Sequence, residues 1–114
     1  LVVNFWGLWC GWCLEEMPDI QKLYEKYRSD PQVVILTIDN DQDPASVQQW
    51  MKQRDFDFPV LLDDGYVNKM GIEAFPTTWF VDTRGRKAFI LVDWSKWLVE
   101  EYSWRIEALK DEGS

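Results

Sequence analysis

Two cysteines, Cys10 and Cys13, stand two residues apart where an apolar run ends and an amphipathic segment begins. The apolar run, residues 1–6 with the sequence LVVNFW, is short and is followed by a glycine, so it predicts a buried β-strand. From about Gly11 to Tyr27, apolar residues recur at helical spacing and predict an amphipathic helix. We therefore expect the cysteine pair at the N-terminus of a helix that directly follows a buried strand.

The rest of the pattern predicts one α/β domain. A continuous β-branched run at residues 33–38 predicts a second strand that is covered on both faces, as in a parallel sheet. Asp43 before Pro44 predicts a helix N-cap, and this helix extends to about Arg54. The later elements are a short extended piece at 58–62, a brief helix ending near Gly71, a hairpin of strands at 77–81 and 87–92, and a helix from about Ser95 to Lys110. A parallel crossover followed by a hairpin predicts a mixed, four-stranded sheet flanked by helices.

Length and charge exclude several classes of function. The 114 residues suit one domain, and the net charge of −8 argues against binding to nucleic acid, which requires a basic surface. No apolar run approaches the ~20 residues that span a bilayer, so we expect no membrane insertion within this chain. The chain opens inside an apolar run without an initiator methionine, from which we expect a trimmed domain over residues 1–112. We interpret Gly113 and Ser114 as a tag remnant.

The cysteine count favours redox chemistry over a metal site. Two cysteines without any histidine cannot supply the about four ligands of a structural zinc site, so we expect no metal. A purely structural disulfide between such close neighbours would restrict the unfolded chain little. At a helix N-terminus, unpaired backbone N–H groups and the helix dipole stabilise a thiolate, which favours Cys10 as the nucleophile. Cys13, one turn further along, is expected to be more buried and to resolve the mixed disulfide formed at Cys10.

An acidic run at residues 39–43, DNDQD, invites comparison with a calcium-binding loop. Such a loop needs glycine at its sixth position and glutamate at its twelfth, which here are Pro44 and Trp50. We therefore interpret the run as a solvated loop between a strand and a helix, with Asp43 as the cap.

Two segments resemble the thioredoxin superfamily and, within it, the TlpA/ResA-like branch of bacterial thiol–disulfide oxidoreductases. The first is residues 2–18, VVNFWGLWCGWCLEEMP, and the second is residues 71–82, GIEAFPTTWFVD. The resemblance covers nearly the whole chain and implies a thioredoxin-like fold. It also implies that the Phe75–Pro76 peptide bond is cis and faces the cysteine pair, where the backbone of Phe75 pairs with an extended substrate.

Glu16 is the next candidate site residue. It lies one helical turn after Cys13, and the resemblance implies that it moves protons to or from the buried thiol. We expect burial and nearby thiolates to raise its pKa, whereas Glu15 is expected to be an ordinary solvated glutamate. Ordinary cytoplasmic thioredoxins carry a buried acid where this chain has Asn4, and an asparagine cannot accept the proton. This difference shifts the proton-transfer role toward Glu16.

The spacer of the cysteine pair and the tryptophans around it differ from common patterns. Gly11 and Trp12 replace the Gly-Pro spacer of reducing thioredoxins and lack the histidine of oxidising groups, so we expect no strongly oxidising pair. Trp9 and Trp12 are predicted to dock an unfolded segment of a partner, with Gly11 and Phe75 beside them. Packing under the loop is the alternative for both indoles, and Trp6 is expected in the core.

The sequence thus predicts thiol–disulfide exchange with protein substrates. In this prediction Cys10 attacks and Cys13 resolves, while Pro76 presents backbone to the substrate and Glu16 manages protons. We expect no cofactor besides the Cys10–Cys13 pair, a protein dithiol as electron donor, and reduction of the substrate. The resemblance implies the bacterial periplasm or cell envelope, with the cytoplasm as the alternative.

Two other functions stay open at this point. A peroxiredoxin-like peroxidase would require a Pro-x-x-x-Thr-x-x-Cys pattern, which the sequence lacks. A non-catalytic binding module on the same scaffold would have no need of the cysteine pair.

One expectation concerns association between chains. In this fold, the strand that runs from Val33 to Ile38 is normally covered by a further strand from an N-terminal segment. We expect its apolar edge to be covered by upstream residues or to mediate self-association.

Overall fold

A computed structural model of the protein describes residues 1–41 and 43–113. Its elements are, in chain order, β1 Val2–Trp6, α1 Gly11–Tyr27, β2 Ile35–Asp39, α2 Pro44–Gln53, β3 Val60–Leu62, α3 Tyr66–Lys69, β4 Thr77–Val81, β5 Lys87–Val92 and α4 Leu98–Gly113. The last element includes Gly113, while Ser114, the other residue interpreted as a tag remnant, lies outside the described residues.

The sheet has five strands in the order β3-β2-β1-β4-β5, one more than predicted. β1 pairs in parallel with β2, and β2 pairs in parallel with β3, whereas β4 is antiparallel to both β1 and β5. The α/β class and the mixed sheet are confirmed. The count of four strands was wrong because β3 has only three residues, too few to show the alternation that marks a strand.

β2 is an internal strand, so the expectation of an exposed edge from Val33 to Ile38 is wrong where β3 pairs with it. It lies between β1 and β3, and its Thr37 is the register partner of Val60. Residues 37–39 therefore have no free strand edge. β3 does not pair with Ile35 or Leu36 in the described part of the chain, so self-association along residues 33–38 stays a prediction. The edge strand on this side is the short β3, and very short edge strands limit pairing with other chains.

Alternate residues of β1 point to two separate apolar clusters, one on each face of the sheet. Val2 and Trp6 belong to the larger cluster, which also contains Cys10 and Cys13. The helices contribute to it Met17, Ile20, Leu23, Val47, Met51, Leu98, Tyr102 and Ile106. The smaller cluster contains Val3 and lies on the face covered by α3. Trp6 is fully buried, as predicted.

Local hydrogen bonds set the starts of two helices. Asp43 caps α2 as predicted, because its carboxylate accepts the backbone N–H of Ala45 at 3.1 Å. α4 begins at Leu98 rather than near Ser95, because the Ser95 hydroxyl accepts the N–H of Trp97 at 3.1 Å in a turn that precedes the helix. None of the helices in the described ranges is long and apolar enough to span a membrane.

Candidate active site

Cys10 and Cys13 form a disulfide across the first turn of α1, with their Cα atoms 5.2 Å apart. Cys10 is the N-cap of this helix, and its Sγ accepts a hydrogen bond from the backbone N–H of Cys13 at 3.1 Å. Its carbonyl accepts the N–H of Leu14 at 3.1 Å. The sulfur of Cys10 therefore lies where the N–H groups and the dipole of the helix favour negative charge.

The two cysteines differ in exposure. Cys10 retains 7% of its surface, whereas Cys13 retains none. The prediction that Cys13 is the more buried residue is confirmed. A large partner approaching from solvent would meet the sulfur of Cys10 first.

Glu16 is fully buried one turn after Cys13. Its Oε1 accepts a hydrogen bond from the amide of Asn4 at 2.6 Å, while its Oε2 has no hydrogen-bond partner among the described residues. Burial raises the pKa of Glu16 to about 8; the Asn4 hydrogen bond opposes this rise, and the charges of Asp19 and Asp93 add to it. The expected direction is confirmed for the disulfide form, in which there is no thiolate to contribute.

Asn4 links Glu16 to two further buried side chains. The Asn4 amide also donates to Oγ1 of Thr78 at 2.9 Å, and this hydroxyl is hydrogen-bonded to the hydroxyl of Tyr102 at 3.0 Å. Burial is the main cause of a raised pKa at Tyr102, and the charge of Glu16 adds to it. We call Glu16, Asn4, Thr78 and Tyr102 the buried polar chain. Its members come from α1, β1, β4 and α4, so it links these four elements through side-chain hydrogen bonds.

The segment that precedes β4 lies beside the cysteine loop. The Phe75–Pro76 peptide bond is cis, as the resemblance implied. Pro76 is buried, and its carbonyl accepts the backbone N–H of Asp93 at 2.9 Å. The ring of Phe75 meets Trp9 edge to face, with 5.0 Å between ring centroids, and packs against the cluster that contains both cysteines. These contacts place the Phe75–Pro76 segment next to the residues around Cys10.

The two tryptophans beside the cysteines are both exposed, Trp9 to 57% and Trp12 to 59%. Trp12 stacks on Trp94, with 5.8 Å between ring centroids and 22° between the ring planes. Gly11, between Cys10 and Trp12, is also exposed. Gly7 lies against the indole of Trp9, where a Cβ atom would approach two indole carbons to 2.8 Å. The loop that displays Trp9 therefore requires a residue without a side chain at this position.

A second buried carboxyl group lies at the end of β2. Oδ1 of Asp39 accepts the N–H of Asp41 at 2.8 Å, and Asp41 in turn accepts the N–H of Leu8 in the cysteine loop at 2.7 Å. Burial, followed by hydrogen bonding to the Asp41 carboxyl, raises the pKa of Asp39 to about 7. The interpretation of residues 39–43 as solvated was wrong for Asp39 and holds for the exposed Asp43, and Gln42 lies outside the described residues.

No group of three or more cysteine, histidine, aspartate or glutamate side chains within residues 1–41 and 43–113 is arranged to hold a metal ion.

Three site residues were not predicted from the sequence. Thr78 and Tyr102 belong to the buried polar chain, and Trp94 stacks on the spacer residue Trp12. Tyr102 recurs at helical spacing with Leu98 and Ile106, a pattern that indicates an apolar core position and gives no sign of a role for its hydroxyl. Thr78 could have been found as a hydroxyl residue within a predicted strand that is otherwise largely apolar. Trp94 gives no signal in the sequence.

A mixed sheet, a disulfide at the start of the helix that follows its central strand, and a cis-proline before the neighbouring antiparallel strand define a thioredoxin-like redox domain. The chain belongs to the AhpC/TSA family, whose family model matches residues 1–88. The predicted membership in the thioredoxin superfamily, with similarity to its ResA-like branch, is confirmed by this match and by the relatives below.

The chain is similar to the thiol-disulfide oxidoreductase ResA of Bacillus thuringiensis subsp. konkukian, with 37% identity over 86 residues. This match covers 74% of the chain and 49% of that protein, so the chain spans about half the length of the curated relatives it matches. Among solved structures, StoA from Bacillus subtilis superposes with a TM-score of 0.80 at 24% identity, covering 91% of this chain and 79% of StoA. The exposed lipoprotein thioredoxin of Streptococcus pneumoniae gives a TM-score of 0.78 at 25% identity, covering 95% and 83%.

Proposed function

We propose that this domain catalyses thiol–disulfide exchange with protein substrates and reduces their disulfides. The observation that carries the proposal is the position of Cys10, whose sulfur accepts the N–H of Cys13 at the start of α1. In the reduced protein the same N–H group would stabilise a thiolate, and the thiolate is the species that attacks a disulfide. The names of the curated relatives describe the same activity.

The exchange proceeds in two steps. The Cys10 thiolate attacks one sulfur of the substrate disulfide, which forms a Cys10–substrate disulfide and releases the other substrate sulfur as a thiolate. Cys13 then attacks the sulfur of Cys10, which closes the Cys10–Cys13 disulfide and releases the second substrate thiolate. The substrate gains two electrons and the cysteine pair loses two, which a protein dithiol donor restores.

Glu16 would serve as the proton acceptor for Cys13. Cys13 is fully buried and must lose its proton before it can attack Cys10. Burial raises the pKa of Glu16 to about 8, much closer than that of an exposed glutamate to the range in which thiols titrate, so the proton can be transferred at lower cost. The free Oε2 of Glu16 is available for that proton among the described residues.

The docking roles predicted from the sequence are part of the same proposal. Trp9 and Trp12 expose most of their indole surface on either side of Cys10, and Gly11 leaves the space between them open. Phe75 lies against Trp9 and immediately precedes Pro76. An extended substrate would pair with the backbone at Phe75 and rest its apolar side chains on the two indoles.

Reduction of insulin by a dithiol donor tests the proposal. We expect the wild-type protein to accelerate the reaction and Cys10→Ser to abolish the acceleration. Cys13→Ser should accumulate a mixed disulfide with the substrate, because the resolving thiol is missing. Glu15→Gln, which changes an exposed carboxylate on the same helix, is the control and should match the wild type.

Two results would contradict the proposal. Undiminished reduction by Cys10→Ser would exclude this cysteine as the nucleophile. Tight binding of unfolded insulin without any disulfide exchange would favour a non-catalytic binding module. Rapid consumption of hydrogen peroxide without any disulfide exchange would favour a peroxidase.

We also propose that the domain works outside the cytoplasm of a bacterium. The similarity to an exposed lipoprotein thioredoxin supports this location. In intact cells of the native organism, a membrane-impermeant maleimide should label the reduced cysteine pair to the same extent as in lysed cells. Labelling only after lysis would place the protein in the cytoplasm.

A further inference from the structure

The loop between β5 and α4 contacts the proposed site at two points. Asp93 has a φ angle of 89°, in the left-handed region that favours glycine, and its backbone N–H donates to the Pro76 carbonyl at 2.9 Å. A residue other than glycine keeps such a conformation only where its surroundings fix it, and residues of this kind cluster at functional sites. Trp94, the next residue, stacks on the spacer residue Trp12.

In the stack of Trp12 and Trp94, the loop fixes Trp94, whereas Trp12 is open to solvent. The N–H of Trp94 donates to Oδ1 of Asp93 at 2.8 Å, which ties the start of the loop together. Trp94 is partly buried, while Trp12 keeps 59% of its surface exposed. The exposed face of Trp12 is therefore presented to solvent beside Cys13 by an indole that the loop holds in place.

Charge accompanies this aromatic surface. The carboxylate of Asp93, which immediately precedes Trp94, is on an exposed residue and forms no ion pair with any described residue. Asp93 is close enough to Glu16 for its charge to add to the rise in the pKa of that carboxyl. With a net charge of −8 on the whole chain, a cationic segment is the complementary occupant for this face.

We propose that Asp93 and Trp94 are specificity-determining residues that select protein segments carrying an apolar and a basic side chain beside the attacked disulfide. The apolar side chain rests on the stack of Trp12 and Trp94, and a lysine or arginine of the substrate pairs with the Asp93 carboxylate. This inference rests on the proposed exchange activity and adds the class of substrate to it.

Two disulfide-linked peptide dimers test the inference. They are identical except that the residues flanking the cysteine are tryptophan and lysine in one, and serine and glutamate in the other. We expect the wild type to favour the first peptide about tenfold or more in kcat/KM. Trp94→Ala should raise the KM for that peptide about tenfold with a smaller change in kcat, and Trp94→Phe should restore most of the loss because it keeps a stacking ring.

Asp93→Asn tests the charge separately, because asparagine tolerates the left-handed conformation while removing the carboxylate. It should lower the preference for lysine over glutamate about threefold and weaken the dependence of KM on salt. Trp104→Ala is the matched control, since Trp104 is 52% exposed and meets Phe89 of β5 edge to face instead. This control should keep the wild-type preference between the peptides.

The outcomes separate this inference from the proposed function. Equal selectivity in the wild type and Trp94→Ala would overturn the inference while leaving exchange intact. If Trp94→Ala fails to fold, a wild type that is indifferent to the flanking residues, or an Asp93→Asn variant with an unchanged preference for lysine over glutamate, would overturn it equally. Failure of the wild type to reduce either peptide, and glutathione disulfide as well, would instead overturn the proposed function.

Discussion

Glu16 and Asp39 are both fully buried carboxyl groups close to the cysteine loop, yet their surroundings differ. Glu16 accepts a hydrogen bond from the neutral amide of Asn4. Asp39 interacts with a second carboxyl group, that of Asp41, which also binds the backbone N–H of Leu8. Burial is the largest cause of the raised pKa in both cases, to about 8 for Glu16 and about 7 for Asp39.

The difference between these two sites shows that a raised pKa does not by itself identify a proton-transfer group. Glu16 lies one turn after Cys13, and its Oε2 is free of hydrogen bonds within the described residues. Asp39 is coupled through Asp41 to the backbone of the cysteine loop, so its protonation bears on the position of Leu8. Proton transfer therefore remains the proposed role of Glu16, and we propose support of the cysteine loop as the role of Asp39.

The largest expected effect is that of Glu16→Gln on stability at high pH. A pKa raised from 4.5 to about 8 means that the folded protein holds the proton more tightly than the unfolded chain. The free energy of unfolding therefore falls as pH rises through this window, by up to about 1.4 kcal/mol per pH unit. Glutamine stays neutral, so the variant should lose this decline and become more stable than the wild type, by a few kcal/mol, near pH 8.

Urea unfolding of the disulfide form at several pH values between 5 and 8 measures this effect. Glu15→Gln is the control, because Glu15 is exposed and its removal should leave the pH dependence of the wild type. Parallel curves for the wild type and Glu16→Gln would show that Glu16 is ionised throughout this range in the folded protein.

Asp39→Asn should also make the protein more stable than the wild type at high pH, but the effect should develop over a lower and narrower pH range. The pKa of Asp39 is raised from 3.8 to about 7, so its contribution to the free energy of unfolding declines between these values and is constant above them. Between pH 7 and 8, the free energy of unfolding of Asp39→Asn should therefore change with pH in parallel with that of the wild type. The free energy of unfolding of Glu16→Gln should still diverge from the wild-type value over this range. If both variants diverge over the same window, the two carboxyls titrate as one coupled system.

The fold was largely predictable from the sequence because most of its elements carry their own signals. The strands with five or six residues show apolar or β-branched runs, and Asp43 marks the start of α2 with a capping side chain. β3 was missed as a strand because its three residues are recognisable only through their pairing with β2. The start of α4 was misplaced because Ser95 caps a turn instead of the helix.

The site was predictable where its residues are adjacent in the sequence. Cys10 and Cys13 form a contiguous motif. Thr78 joins the site through a hydrogen bond with Asn4, 74 positions away, and Trp94 joins it only through its stack on Trp12. Contacts of this kind depend on strand order and loop path, which a periodicity in the sequence does not encode.

Replacing Asn4, the hydrogen-bond donor to Glu16, tests how far the surroundings of Glu16 set its pKa. The expected effect is of intermediate size. Asn4→Leu removes the amide that favours the ionised form of Glu16, so the pKa of Glu16 should rise further, by about one to two units for a hydrogen bond to a charged group. A titration of the Glu16 side-chain carboxyl by carbon-13 NMR measures the change. Thr78→Val, which alters the partner of Asn4 but not that of Glu16, should produce a smaller shift. An unchanged pKa in Asn4→Leu would mean that burial alone controls Glu16.

The smallest expected effect is that of Asp41→Asn on Asp39. The side-chain oxygen of asparagine can still accept the N–H of Leu8, while the substitution removes a neighbouring carboxyl that raises the pKa of Asp39. The pKa of Asp39 should therefore fall toward its ordinary value without reaching it, because burial remains the larger cause. The same NMR titration, applied to the Asp39 carboxyl, measures this shift. If the pKa of Asp39 stays at its wild-type value, the Asp41 carboxyl does not contribute to the rise, and burial alone causes it as it does most of the rise at Glu16.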